Sequence, residues 1–126
     1  MSLTNPLAKA RGHGSAKEGV QHWYLQRLTA VFLIFLAAWL IYAMISLAGA
    51  GHQEAQAFMG KPLNAALMSL LIVSVLYHAM LGLQVVIEDY VHSPALEITL
   101  LLLTRAGAFI GIAVGLIHSV KLALGS

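Results

Sequence analysis

The sequence contains no cysteine and few charged residues, and both shortages narrow the possible classes of protein. Without cysteine the chain forms no disulfide and holds no cysteine-ligated iron–sulfur cluster by itself. Charged residues make up 10% of the chain, whereas a soluble domain usually contains about a quarter. Hydrophobic residues make up 60%. This composition excludes an ordinary soluble domain, so we expect membrane lipids, and no nucleic acid, among its partners.

Long apolar runs take up most of the chain. Three of them, at about residues 28–50, 63–87 and 96–122, are each long enough to cross a bilayer as a helix. The turns between them are short, so neighbouring helices should be antiparallel. The sequence predicts an all-α integral membrane protein, with three transmembrane helices in residues 27–126 after a cytoplasmic tail and short interfacial segment in residues 1–26. A polar tail followed by so long a span is unlike a cleavable signal peptide.

Residues typical of helix ends mark several of the boundaries. Ser15, with Glu18 three residues later, matches a capping box and predicts a helix start ahead of the first span. Pro62 and Pro94 are expected at first helical positions, where the missing N–H does no harm. Ser93 is then the expected N-cap of the third span.

Basic residues are concentrated before the first span. The tail and the first turn contain Lys9, Arg11, Lys17 and Arg27. The loop after the first span contains only Lys61, and the C-terminal end only Lys121. Because cytoplasmic segments carry the excess of Lys and Arg, the N-terminus is predicted to be cytoplasmic. No long presequence precedes the tail, so the expected location is a bacterial inner membrane, with the chain crossing it several times.

One face of the second span combines a deep histidine with polar groups at its end. Gly82 lies one helical turn after His78, and Val85 and Asp89 continue the same stripe, with Tyr90 about a third of a turn away. Asp89 is about 16 Å closer to the cytoplasmic surface than His78. The missing side chain at Gly82 would let a flat ligand approach the backbone beside the imidazole.

A histidine inside a membrane span has two interpretations. It hydrogen-bonds a neighbouring helix, or it is a functional group, since ionisable residues are costly in lipid. Neutral imidazole is a good axial ligand for haem iron. The other histidine within a span, His118, lies deeper than His78 by roughly 18 Å, too far for both to bind one iron. If His78 binds haem, the second ligand must therefore come from another chain.

The segment HAMLGLQVVIEDY, residues 78–90, resembles the second-helix signature of the smaller hydrophobic membrane-anchor subunit of succinate dehydrogenase, respiratory complex II. That signature has a histidine, a glycine four residues later, and an Asp-Tyr pair eleven and twelve residues after the histidine. The upstream segment GVQHWYLQRLTA, residues 19–30, is similar to the family's entry into helix one. Members often carry a histidine six residues before the arginine, where this chain has Gln21 with His22 next to it.

The resemblance implies half of a haem-binding heterodimeric anchor bundle. Its companions would be a second cytochrome b-type anchor, an iron–sulfur subunit and a flavoprotein subunit, with FAD and the iron–sulfur clusters in those partners only. The chain would thus belong to an enzyme, succinate:quinone oxidoreductase, without flavin or cluster chemistry of its own. Its cofactor would be haem b, shared with the companion anchor, and ubiquinone would be the substrate reduced near the cytoplasmic surface.

The resemblance also implies roles for single residues. His78 would be the haem iron ligand, and Gly82 would lie against the haem face. Tyr90 would donate a hydrogen bond to a quinone carbonyl, and Asp89 beside it would help deliver protons. Arg27 would bind a haem propionate or lie near the quinone; otherwise it is a positively charged residue extending to the headgroups.

Arg105 has no counterpart in that signature. It lies about 13 Å into the third span, where an unpaired charge is costly, and Asp89, Glu88, a propionate or the headgroups are its candidate partners. Two alternatives to the succinate dehydrogenase interpretation stay open. One is the anchor of a fumarate reductase, which runs the reaction backwards. The other is a non-catalytic scaffold or transporter subunit with a buried pair of His78 and Arg105.

Overall fold

The computed structural model of the chain describes residues 16–125, with side chains from residue 19 onward. These residues form four helices: α1 (Ala16–Ser46), α2 (His52–Met59), α3 (Pro62–Tyr90) and α4 (Pro94–Ala123). No strand occurs among them. Three helices are long and apolar enough to cross a membrane, over Gly19–Ser46, Pro62–Tyr90 and Pro94–Ala123. The prediction of an all-α protein with three membrane-length helices is therefore confirmed.

The helix ends follow local sequence signals in part. α3 and α4 begin at Pro62 and Pro94, as predicted. Ser93 occupies the N-cap position of α4, but its side chain makes no capping hydrogen bond. The chain turns after α1 through Gly49, whose φ of 82° is readily reached only without a Cβ. α1 runs without a break from residue 16, so the end of the expected tail is already helical; Ser15 lies outside the described residues.

The short helix α2 lies at the end of the bundle away from the tail. A loop was predicted here from the sequence. α2 begins after Gly51, whose N–H donates to Glu54 Oε2 at 3.1 Å. At its other end Gly60 lies against α4, where an added methyl group would be 3.3 Å from the Leu122 carbonyl oxygen. The Asn64 amide of α3 donates to the Phe58 carbonyl at 2.8 Å. These contacts bind α2 to both neighbouring helices.

α3 is the central helix of the bundle. It packs against α1 on one side and α4 on the other, and α1 and α4 do not pack against each other within the described residues. The contact with α4 is close because two glycines of α4 face large side chains of α3. A methyl group added at Gly111 would lie 3.0 Å from Leu76 Cδ1, and one at Gly115 only 2.6 Å from Ile72 Cγ2. Small residues allow such close helix packing in membranes.

The same interface continues through a buried hydroxyl pair. Ser69 Oγ donates to Ser119 Oγ at 2.8 Å, and Ser119 Oγ lies 2.9 Å from the Ala65 carbonyl oxygen. Ser119 is 3% exposed. Hydrogen bonds of this kind join helices where no water competes. The packing fixes the depth of α4 against α3, and with it the depth of Arg105.

The interior of the bundle is small. The buried apolar residues are Leu36, Ala43, Ala65, Leu81, Ile87 and Ala108. Large apolar side chains such as Phe35 and Phe109 are mostly exposed, at 72% and 68%. Such a large apolar surface is unfavourable in water, whereas the hydrocarbon of a membrane accommodates it.

Candidate functional site

The polar side chains of interest gather toward one end of the bundle. This end, called the tail side below, is where α1 begins, α3 ends and α4 begins. Because α1 and α4 run antiparallel to α3, residues early in α1 lie level with residues late in α3. Thr29 contacts His78, and Gln26 contacts Gly82, which fixes this alignment.

His78 lies half-buried in α3 and faces α1. Its Nδ1 is 2.9 Å from Thr29 Oγ1. Its Nε2 makes no hydrogen bond to the described part of the chain and is not enclosed by it. One nitrogen of the imidazole therefore links two helices, as the first interpretation predicted, and the other nitrogen is left open.

Gly82 faces the same neighbouring helix. A methyl group at this position would lie 3.4 Å from Gln26 Nε2, at ordinary van der Waals distance. The gap expected beside His78 is thus bordered by the Gln26 amide, a residue that the sequence analysis did not single out. A flat ligand against Gly82 would have Gln26 as its neighbour.

Asp89 and Tyr90 form the last turn of α3, and both are exposed. Tyr90 is 78% exposed, and its hydroxyl makes no hydrogen bond within the described residues. Its backbone carbonyl accepts a hydrogen bond from His92 Nδ1 at 3.1 Å. Asp89 forms no ion pair with a described residue. Both groups are thus available to a molecule at the membrane surface.

A cleft of about 890 Å³ opens on the tail side between α1 and α3. Its charged and titratable lining residues are Arg27 and His22 of α1, Glu88 of α3 and Arg105 of α4. The Glu88 carboxylate accepts a hydrogen bond from Gln84 Nε2 at 2.8 Å. With two guanidinium groups and one carboxylate, this wall of the cleft is positively charged and suits an anionic group.

Arg27 is held in place by its own helix. Its guanidinium carbon lies 5.2 Å from the centre of the Trp23 ring, a cation–π arrangement. His22 directly precedes Trp23. Its Nε2 is buried without a hydrogen-bond partner among the described residues. No role of His22 was predicted from the sequence; its spacing of four from Gln26, on one helix face, was the available signal.

Arg105 is exposed and lines the cleft, but it makes no ion pair with Asp89 or Glu88 in the described structure. Its partner is also not His78, whose polar contact is Thr29. His118 is exposed on α4, donates from Nδ1 to the Val114 carbonyl at 2.9 Å, and does not line the cleft. Among the described residues no three metal-ligating side chains come together. His78 therefore offers a single nitrogen rather than a complete metal site.

Comparison with known proteins leads to the same family as the resemblance of residues 19–30 and 78–90. The profile of the family described as "Succinate dehydrogenase/Fumarate reductase transmembrane subunit" matches residues 1–118. A "Succinate dehydrogenase hydrophobic membrane anchor subunit" of Rickettsia bellii is 37% identical over 99 residues, which cover 79% of each chain. The protein of the same name from Rickettsia conorii is 38% identical over 100 residues, again 79% of each chain. That of Paracoccus denitrificans is 29% identical over 90 residues, covering 71% of this chain and 70% of its own. No solved structure matches.

The profile match includes both segments on which the sequence resemblance was based, residues 19–30 and 78–90. The relatives are membrane anchors, and this chain has three membrane-length helices, as a multi-pass membrane protein requires. The chain belongs to the family of succinate dehydrogenase and fumarate reductase transmembrane subunits.

Proposed function

We propose that the chain is the small membrane anchor of a bacterial succinate dehydrogenase. With a second, cytochrome b-type anchor it would hold the iron–sulfur and flavoprotein subunits at the inner membrane, and electrons from succinate would pass to ubiquinone. Its family, and relatives named as succinate dehydrogenase anchors, support this function. The iron–sulfur clusters would belong to a partner, since the chain has no cysteine to ligate them, and the flavin would belong to the flavoprotein subunit.

The proposal that the chain co-ligates haem b depends on the hydrogen bonding of His78. A haem shared between two chains would take one histidine ligand from each, and Nε2 of His78 is open, with no hydrogen bond to the described residues. The donor set therefore fits the group. When bound, the haem supplies a one-electron redox centre within the membrane. His78 would hold the iron from this side, and the companion anchor would supply the second ligand.

Two residues at the end of α3 are proposed to act on the quinone. Tyr90 would donate its hydroxyl proton in a hydrogen bond to a quinone oxygen, since its phenol is exposed and free of hydrogen bonds to the described residues. Asp89 would relay protons from water to the reduced quinone, because a carboxylate at the interface exchanges protons with both.

The cleft on the tail side is proposed to receive the anionic edge of the haem. Arg27 would bind a propionate or lie close to the quinone, and arginine pairs well with a carboxylate. Arg105 lines the same cleft and adds to its positive charge. Gly82 would leave room for the haem face next to His78, with the Gln26 amide at its border.

Replacement of His78 tests the haem assignment. We expect the His78→Ala complex to lose or alter the reduced-minus-oxidised spectrum of haem b, because the axial nitrogen is gone. The matched control is His118→Ala, which removes an exposed imidazole that does not line the cleft. In both variants the chain should still co-purify with its partner subunits, and both complexes should oxidise succinate with an artificial acceptor. An unchanged spectrum in the His78→Ala complex would refute the proposal.

Fumarate reduction is the second candidate, since the family description covers both directions. The names of the relatives favour succinate oxidation. The scaffold or transporter alternative depended on a pair between His78 and Arg105. Its support is weak, because His78 contacts Thr29 while Arg105 faces the cleft.

A further inference from the structure

The hydroxyl of Thr29 makes three close polar contacts. It lies 2.9 Å from the Leu25 carbonyl oxygen, 3.0 Å from the Gln26 carbonyl oxygen and 2.9 Å from His78 Nδ1. A hydroxyl has a single proton to donate and two lone pairs to accept with. The two carbonyl oxygens only accept. The proton of Thr29 must therefore point to the carbonyl pair, as in other threonines bonded back to the preceding helical turn.

This fixes the direction of the third contact. Because the Thr29 proton is used within α1, the hydrogen between Thr29 and His78 has to come from the imidazole. His78 is then protonated at Nδ1, and a neutral imidazole carries only one N–H. Its Nε2, which has no hydrogen bond in the described structure, is left with a lone pair. That is the form of histidine that a metal ion binds.

We infer that Thr29 is a positioning residue for His78: its hydroxyl accepts the Nδ1–H bond, sets the tautomer and aims Nε2 at the haem iron. The inference rests on the proposed role of His78 as a haem ligand. Metal-binding histidines almost always donate their other N–H to a second group, which fixes the ring and raises its basicity. Thr29 is a neutral acceptor. The hydrogen bonds from His78 to Thr29 and from Thr29 to the α1 carbonyls join half-buried groups, so water competes little for these bonds.

The first test is Thr29→Val in the assembled complex, a replacement of nearly equal shape that removes the hydroxyl and with it the acceptor for His78 Nδ1–H. We expect the rate of haem transfer to excess apomyoglobin to rise about 10- to 100-fold, the usual effect of losing such a partner. The haem midpoint potential should become more positive, because a less basic imidazole stabilises ferric iron less. The low-spin ferric EPR signal should shift as well.

Two further variants separate positioning from general packing. Thr29→Ser keeps the hydroxyl and should behave as the unmodified complex. Thr99→Val removes a threonine of α4 whose hydroxyl is also bonded back to its own helix, at 2.7 Å from the Ala95 carbonyl, but makes no hydrogen bond to a described histidine. It should leave haem transfer and EPR unchanged. Should Thr29→Val fail to assemble, Thr29→Ala removes the same acceptor with less strain and carries the same expectation.

The outcomes distinguish this inference from the function on which it rests. Normal haem transfer and EPR in Thr29→Val would overturn it, as would a Thr29→Ser complex that releases haem as fast as the valine variant. If His78→Ala abolishes the haem spectrum while Thr29→Val changes nothing, only the role of Thr29 fails. If His78→Ala keeps its haem, the haem proposal fails first.

Discussion

His78 and Tyr90 belong to the same helix but meet different surroundings, and the difference matches their proposed roles. His78 is half-buried and fixed through one nitrogen by Thr29. Tyr90 is 78% exposed at the helix end. A group that holds a cofactor in place gains from being fixed, whereas a group that meets a mobile substrate has to be accessible.

The variant Tyr90→Phe tests the proposed quinone site at a single residue. Loss of the hydroxyl removes one hydrogen bond to the substrate, so quinone reduction by succinate should fall by roughly 10-fold or more. Succinate oxidation with a soluble artificial acceptor should stay near normal, because that route does not use the quinone. Both activities are measured on the same purified complex.

Tyr42→Phe is the matched control for that experiment. Tyr42 is also an exposed phenol, at 60%, but it lies near α2 on the far side of the bundle, with its ring 6.5 Å from that of Phe58. It should retain full quinone reduction. Equal loss of both activities in Tyr90→Phe would indicate faulty assembly and count against the assignment of Tyr90.

Arg105 lies within a membrane-length helix and forms no ion pair with a carboxylate of the described residues. A charge at that depth is costly unless it reaches polar surroundings. The cleft provides these, with Arg27 and the Gln84–Glu88 pair along its border. An anionic group from outside the chain would complete the balance of charge.

At the scale of helices, the glycines of α4 decide how closely it approaches α3. Gly115→Ala should destabilise the bundle, because the new methyl group would lie 2.6 Å from Ile72 Cγ2, which a β-branched side chain cannot easily move. Overpacking of this kind costs about 1–3 kcal/mol, against a gain of about 1 kcal/mol in helix propensity. Thermal denaturation of the purified complex in detergent measures the difference.

Gly107→Ala is the control on the same helix. A methyl group at Gly107 meets no atom within 4 Å, so only the gain in helix propensity should remain. Its complex should be as stable as the unmodified one or slightly more stable. If the two variants denature at the same temperature, the close contact at Gly115 does not determine stability.

The elements differ in how well the sequence predicts them. The three long helices were predictable because length and hydropathy alone decide whether a segment crosses lipid, and Pro62 and Pro94 mark their starts. α2 was missed since its eight residues carry only a weak signal, a Gly51 start with Glu54 three residues later. Its position depends on contacts with Asn64 and Leu122, which only the tertiary structure brings close.

The candidate site shows the same limit. The helical repeat and the depth along each span were sufficient to single out His78 as a candidate ligand and to exclude His118 as a second ligand of the same iron. Thr29 and Gln26 could not be found in this way, because the pairing of α1 with α3 depends on side-chain packing between two helices that are apolar over most of their surfaces. Sequence spacing gives neighbours within one helix but not across two.

At the scale of the whole molecule, the distribution of charge predicts how the chain crosses the membrane. Arg27 lies on the tail side, and Lys9, Arg11 and Lys17 precede it in the sequence, whereas the far side contains Lys61, Lys121 and the acidic Glu54. The excess of positive charge stays in the cytoplasm during insertion. The tail side should therefore be cytoplasmic, where the iron–sulfur partner would dock.

Since the chain has no cysteine, single cysteines can report this topology without background. Gln53→Cys on α2 and Ser93→Cys between α3 and α4 are both exposed positions, on opposite sides of the bundle. In intact spheroplasts a membrane-impermeant maleimide should label Gln53→Cys and leave Ser93→Cys unlabelled. After permeabilisation both should react, and labelling in SDS gives the total for each. Ser93 makes no capping hydrogen bond, so its replacement should leave α4 unchanged. The reverse pattern, with Ser93→Cys labelled from outside and Gln53→Cys protected, would invert the orientation and place Tyr90 on the wrong side for the iron–sulfur partner.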